Sequence, residues 1–217
     1  MQRRRFAALA APLALGLGLA APVSPVAAQE KVAAVSPAGT YELDAAHSGV
    51  GFKVRHLFTK VPGRFSTFSG AIQFDPAKPA ATRVTVEIDA ASINTDNAKR
   101  DGHLKSPDFF DAEKFPKITF KSTAVKLVDA TRATMTGDLT MRGVTKPVTL
   151  DVELLGQGPN GRGGMVAGFA ATGKLNRTDY GVAWNRALEG GGSLLGDDVE
   201  LTFSIEAVKP GPEAAAK

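Results

Sequence analysis

The chain contains no cysteine in 217 residues. That absence excludes a disulfide framework, thiolate zinc sites, a cysteine nucleophile and lipidation at an N-terminal cysteine. Histidine is nearly as scarce, with His47, His56 and His103 the complete set. No two of them stand at helical i, i+4 spacing and no flanking carboxylate pattern supports them, so no metal is expected. There is no Gly-x-Ser-x-Gly, and Gly190-Gly191-Gly192 lacks the lysine and helix start of a phosphate-binding loop. No catalytic constellation emerges, so a non-enzyme is expected. An enzyme on this chain would have to work through His56, Arg100, Asp101 or His103.

What is present is ordinary globular material, 43% hydrophobic and 22% charged, enough for one domain with a core. The start departs from it. Arg3, Arg4 and Arg5 precede an Ala/Leu/Gly-rich run from Phe6 to Ala21, and Val26-Ala27-Ala28 offers small residues for cleavage. This order predicts a signal peptide over 1–28, the run being too interrupted for a secure membrane span. Arg3-Arg4-Arg5-Phe6 also resembles a twin-arginine signal, though no Leu follows Phe6, so Sec and twin-arginine export both stay open. Cleavage after Ala28 would take three arginines and no acid from a formal charge of +4, leaving +1. A near-neutral mature domain is no electrostatic trap for nucleic acid or for an anionic membrane, and a periplasmic location is expected.

Residues 29–38 and 209–217 are rich in Ala, Pro and Lys and read as flexible ends. Between them, apolar and polar residues alternate with period two. One face after another appears: Val50, Phe52, Val54, His56 and Phe58; Phe68, Gly70, Ile72 and Phe74; Val84, Val86 and Ile88; Ile118 and Phe120. Met135, Gly137, Leu139 and Met141 follow, then Val148, Leu150, Val152 and Leu154, then Met165, Ala167, Phe169 and Ala171, and finally Leu201, Phe203 and Ile205. That makes eight candidate strands, with a short one near Thr40 to Leu43. Short joins such as Asp75 to Lys78, Arg142-Gly143 and Gly156 to Gly164 imply antiparallel pairing.

A sandwich or a closed barrel satisfies this pattern. The barrel is favoured because closure removes long exposed edges. The expected fold is therefore all-β, a closed antiparallel barrel of about eight strands with a short helical insert. The insert lies where alternation stops, from Ser92 to Pro116, with Thr95 or Asp96 capping a helix through Lys105. Small residues on the inward faces (Gly70, Gly137, Ala167, Ala171, Gly173) either leave room for an apolar ligand or mark bulges and bends. On the first reading the lumen is lined by Phe52, Val54, His56, Phe58, Val86, Ile88, Phe120, Leu139 and Met141. Leu150, Val152, Ala167, Phe169, Ala171 and Phe203 complete the wall, and Phe109 and Phe110 of the insert plug one end while touching the ligand. His56, alone on an apolar face, reads first as a hydrogen-bonded core residue. Arg100 and His103 share a helix face, which is either solvated or meets a polar or phosphorylated head group. Asn176, Arg177, Asp179 and Tyr180 form a polar turn held by side-chain to backbone bonds.

Several blocks in order resemble a known family. They are Tyr41-Glu42-Leu43-Asp44 with His47-Ser48, Phe52-Lys53-Val54-Arg55-His56, Gly63-Arg64-Phe65, and Arg100-Asp101-Gly102-His103-Leu104. Asp108-Phe109-Phe110-Asp111 with Phe115-Pro116, Gly137-Asp138-Leu139-Thr140 with Arg142-Gly143-Val144-Thr145, and Asn176-Arg177 with Asp179-Tyr180-Gly181 continue the series. Together they make residues 39–208 similar to the YceI-like, polyisoprenoid-binding domains. The resemblance implies a lipocalin-like periplasmic barrel that holds an isoprenoid or acyl-chain lipid and has no covalent cofactor. It implies a carrier for a quinone-type or polyprenyl-type lipid, with transient contact to a membrane or respiratory protein. A stress-response or interaction protein with a filled core is the alternative, and an enzyme acting on such a lipid is another.

Overall fold

The computed structural model describes residues 38–211. The signal peptide expected over 1–28, most of the flexible segment after it, and the tail beyond Gly211 lie outside the described residues. Eleven strands follow in chain order: β1 (Gly39–Leu43), β2 (Gly49–His56), β3 (Thr59–Phe65), β4 (Phe68–Phe74), β5 (Arg83–Asp89), β6 (Ile93–Asn94), β7 (Lys117–Leu127), β8 (Arg132–Met141), β9 (Val144–Pro159), β10 (Met165–Asn176) and β11 (Leu195–Lys209). Helix α1 (Ala98–Lys105) stands between β6 and β7. Among the described residues no helix is long and apolar enough to cross a membrane.

The eleven strands are eight staves of one closed antiparallel barrel. β1 and β2 form a single stave interrupted by the loop Asp44–Ser48, since both pair with β11. β3 with β4, and β5 with β6, are likewise broken staves, because β1 pairs β4 while β2 pairs β3, and β4 pairs β5 while β3 pairs β6. From β7 to β11 each stave pairs with the next. Glu42 opposite Val208 and Leu43 opposite Ala207 shut the ring. Closure leaves no long free edge, as the alternating pattern requires.

The broken staves have local causes. In the first, Ser48 Oγ accepts from Glu206 N at 2.9 Å, standing in for a ladder bond that the loop removes. β7 bulges against β8, where the register slips by one residue between Ser122 and Ala124, and on its other side the buried Ser122 Oγ accepts from Val84 N of β5 at 2.8 Å. The β8–β9 turn Arg142-Gly143 takes positive φ at both residues (52° and 75°), the geometry that suits a two-residue hairpin.

Three expectations need correction. β3 shows no alternation that would announce it; Pro62 sits in it where β2 is its sole neighbour, so the missing N–H costs no ladder bond. Lys209 belongs to β11, opposite Met165, rather than to a flexible tail. Phe58 does not face the lumen. β2 ends at His56, Leu57 turns the chain with φ 51°, and the Phe58 ring is 98% exposed at the tip of the β2–β3 turn. The alternation that carries His56 inward stops one residue later, so its next beat has no meaning.

The connections sort to two ends. The β2–β3 turn, the α1 insert, the β8–β9 turn and the long 177–194 connection crowd one end, here called the insert end. The turns β4–β5, β7–β8 and β9–β10 form the other, the turn end. Asn97 caps α1 by accepting from Arg100 N at 3.0 Å, one residue beyond the caps expected from sequence. α1 itself buries no residue, and the insert is held by its neighbours. Phe109 is 6% exposed, and the Arg142 guanidinium donates through Nη1 to the carbonyls of Pro107 (2.8 Å) and Phe109.

Candidate functional site: a two-chambered lumen

The inward side chains do not fill the barrel. Two cavities of about 270 and 360 Å³ lie end to end and share Val50, Ile88, Leu139, Leu201 and Phe203 as a common wall. The smaller, at the turn end, is walled by Val86, Phe120, Leu150, Val152, Phe169 and Ala171 among others, with polar residues confined to Thr82, Gln157 and the loop from Asp129 to Arg132. The larger, at the insert end, is walled by Phe52, Val54, Met141, Phe109 and Phe110, together with His56, Thr95, Arg100, His103 and Arg177. Fifteen of the seventeen residues expected on the lumen wall are therefore on it. Phe58 is outside, and Ala167 is packed solid. Ala167 has no exposure and sits with Tyr41, Ile72, Phe74 and Ala207 in a dense cluster under the β1–β11 closure.

The glycines on the inward faces are not open space. A Cβ on Gly63 would overlap the Phe52 ring, and one on Gly137 would overlap the Phe120 ring and come within 2.7 Å of the Lys121 carbonyl. At Gly173 it would meet Leu150 Cδ2 at 2.6 Å. Each glycine is a notch that lets a neighbouring large side chain lie over the wall, and the room in the lumen arises from that displacement. Gly70 differs, since its Cβ would strike the Thr85 backbone, so it admits a close approach of β5 rather than a neighbouring side chain.

Polarity separates the chambers. The insert chamber's charged lining is entirely cationic or imidazole. Arg100 is fixed by Nε to Thr95 Oγ1 (2.7 Å) and Nη2 to Thr95 O (2.8 Å), while Asp101 accepts from Thr95 N at 2.9 Å and orients that threonine. His103 lies edge-on to Phe109 and Trp184 (ring centroids 5.0 and 5.1 Å) and meets Asp108 at 2.8 Å through Nε2. The ring of His56 lines the chamber and has no hydrogen-bond partner among the described residues, so it is not the satisfied core histidine that an isolated inward histidine suggests. Its ring nitrogens are available to a ligand.

Arg177 is 5% exposed. It donates to the carbonyls of Gly196 (2.9 Å), Val182 (2.6 Å) and Trp184 (2.9 Å), the side-chain to backbone bonds expected of this turn, and to Asp197 Oδ1 (3.0 Å), which together tie the 177–194 connection to β11. Burial holds its guanidinium below the usual arginine range, opposed by Asp197. Tyr180 beside it is buried, and desolvation pushes its hydroxyl up to about 12, so it stays neutral. Trp184, Leu194 and Leu195 also line this chamber and were not anticipated. Trp184 and Leu194 sit in a Gly-rich connection without periodicity and Leu195 opens β11 just after it; the lone tryptophan was the one available signal. Elsewhere, Asp44, His47 and Glu206 bring three potential ligand atoms within 4.8 Å of one another on the surface.

Comparison with known proteins agrees with this geometry. The YceI-like domain matches residues 41–207. Protein YceI of Escherichia coli O157:H7 is 41% identical over 175 residues, covering 79% of this chain and 88% of that protein. The crystal structure of the Campylobacter jejuni YceI protein superposes with a TM-score of 0.63 at 38% identity, covering 77% of this chain and 96% of that one. A polyisoprenoid binding domain from Saccharophagus degradans, implicated in plant cell wall breakdown, shares the fold at 17% identity and a TM-score of 0.55, covering 78% and 98%. An eight-stave barrel matched from its first inward tyrosine, Tyr41, to the closing Ala207 belongs to the YceI-like domain family.

Proposed function

We propose that this protein is a non-catalytic carrier that encloses one long-chain isoprenoid or related acyl-chain lipid, working in the periplasm. The observation that carries this reading is the pair of confluent chambers, apolar along the walls, with a charged lining at the insert end that includes no acid. Each buried CH₂ contributes about 0.8 kcal/mol, so an extended chain threaded past Leu139 and Phe203 needs no polar anchor to be held. Selectivity then falls to the insert chamber, where Arg100, His103 and His56 face a quinone-type or polyprenyl-phosphate head group. The same barrel serves the Saccharophagus degradans domain described as polyisoprenoid binding. The carrier reading over an enzyme rests on Arg100 and Arg177 donating to carbonyls and to the Thr95 hydroxyl, which position the chain.

Organic extraction of protein purified from its own host, followed by mass spectrometry, tests the proposal. A long-chain lipid at near one per protein is expected. Protein that extracts empty and also fails to take up detergent-dispersed polyprenyl lipids would overturn it, in favour of an interaction protein.

A further inference from the structure

We propose that the turn end of the barrel docks on an anionic phospholipid bilayer, with the β7–β8 turn entering the acyl boundary beside the mouth of the smaller chamber. The inference rests on the lipid-carrier reading and adds the surface through which cargo moves. At this end the chamber wall runs out to the surface: Pro76, Pro79, Leu127 and Ala130 line the cavity. Leu127 is 44% exposed, and Val128, next to it at the tip of the turn, is 62% exposed. The exposed Ala80 and Ala81 belong to the adjoining β4–β5 connection, whose short helical turn packs against β7. Exposed apolar side chains occurring singly need no explanation, whereas a rim of them continuous with an apolar cavity does.

Charge on the rim favours the same partner. Lys78, Arg83 and Lys126 are exposed and form no ion pair among the described residues. Of the acids nearby, Asp129 is bound by Arg132 at 2.6 Å, which with two backbone N–H groups holds its carboxyl at about 2, Glu153 stands opposite the same arginine in the β8–β9 register, and Asp75 accepts from Ala77 N at 2.9 Å. Apolar side chains ringed by unpaired cations are the composition of a surface that settles at a phosphate-rich interface. The opposite end differs: its chamber mouth is covered by the insert, and acids such as Asp108 lie among its cations.

Flotation with equimolar phosphatidylglycerol/phosphatidylcholine vesicles tests the proposal, using wild type, Val128→Asp and the pair Lys78→Gln/Lys126→Gln. None of these residues lines a chamber, and a melting curve checks that each variant is folded. Wild type should float, Val128→Asp should bind about tenfold more weakly, and the lysine pair should lose most of its salt dependence. Wild type that stays unbound, or Val128→Asp that binds like wild type, overturns the docking face. Uptake of a detergent-dispersed polyprenyl phosphate, followed by Trp184 fluorescence, is measured in parallel. Failure there removes the carrier reading, while vesicle binding lost in Val128→Asp would still establish the membrane face.

Discussion

Phe52 lies over Gly63 and Phe120 over Gly137 because neither glycine carries a Cβ, so the width of the lumen is set at these two notches. Gly63→Ala should drive the Phe52 ring into the insert chamber, at a cost of about 1–3 kcal/mol, with a lower melting temperature and weaker lipid uptake. Gly137→Ala should cost more than Gly63→Ala, since its Cβ also approaches the Lys121 backbone oxygen, which cannot rotate away. Equal melting temperatures for the two would contradict this account. A second expectation concerns pH. The hydrogen bond that His47 donates to the Asp44 carboxylate raises His47 above its ordinary 6.5, assisted by the charges of Asp44 and Glu206, and the same bond lowers Asp44 below 3.8. The histidine term is complete below pH 6.5 and disappears as pH rises through the raised value. The aspartate term is complete above pH 3.8 and disappears as pH falls through the lowered one. Stability should thus carry a contribution between about pH 4 and 6.5 that fades on the alkaline side. His47→Gln should flatten that slope in thermal melts, and NMR titration of His47 should give a midpoint above 6.5. Residue by residue, the sequence exposed the inward set wherever alternation was unbroken, but it could not distinguish a glycine that leaves space from one that a phenylalanine covers.

The insert between β6 and β7 has little of its own to hold it. α1 buries none of its residues, and the insert is fixed by Phe109 and Ala112 in the core, by Phe110 edge-on to Phe65, and by Arg142, reaching from the β8–β9 turn to the carbonyls of Pro107 and Phe109. Arg142→Ala should therefore loosen the insert before it loosens the barrel. Amide exchange over residues 106–116 should quicken markedly, with a loss of global stability no larger than about 1–3 kcal/mol, the range for bonds from a charged group. If exchange there is unchanged, the insert is secured by something other than Arg142. This element was legible as an interruption of period two, and its helix was placed to within two residues. The tether was not legible, because nothing in Arg142-Gly143 beyond a hairpin signal says where an arginine on the turn points. β3 escaped for a related reason: Pro62 and Gly63 resemble a loop, and their tolerance in a strand depends on which neighbours the finished sheet provides.

For the molecule as a whole, closure was legible because it removes the long edges that a sandwich of eight one-sided strands would leave exposed; the division of the interior into two chambers was not, since it depends on how five side chains from different staves meet. That division predicts a graded response to blocking. Ala171→Trp fills the turn chamber, where Ala171 lies on the wall, and leaves the insert chamber its shape. In delipidated protein the melting temperature should change little, while affinity for long chains should fall well below affinity for short ones, read by competition among polyprenyl lipids of different length. Equal loss at every length would mean that cargo does not extend past Phe203. The ring also has an order of assembly. Its seam joins β1 to β11, the first described strand to the last, and β11 is the shared partner of β1, β2 and β10. Contacts between such distant parts of a chain form late and slowly. Until Leu195–Lys209 has been synthesised and seated the barrel is open, so on the carrier reading proposed above cargo would enter only after the chain is finished.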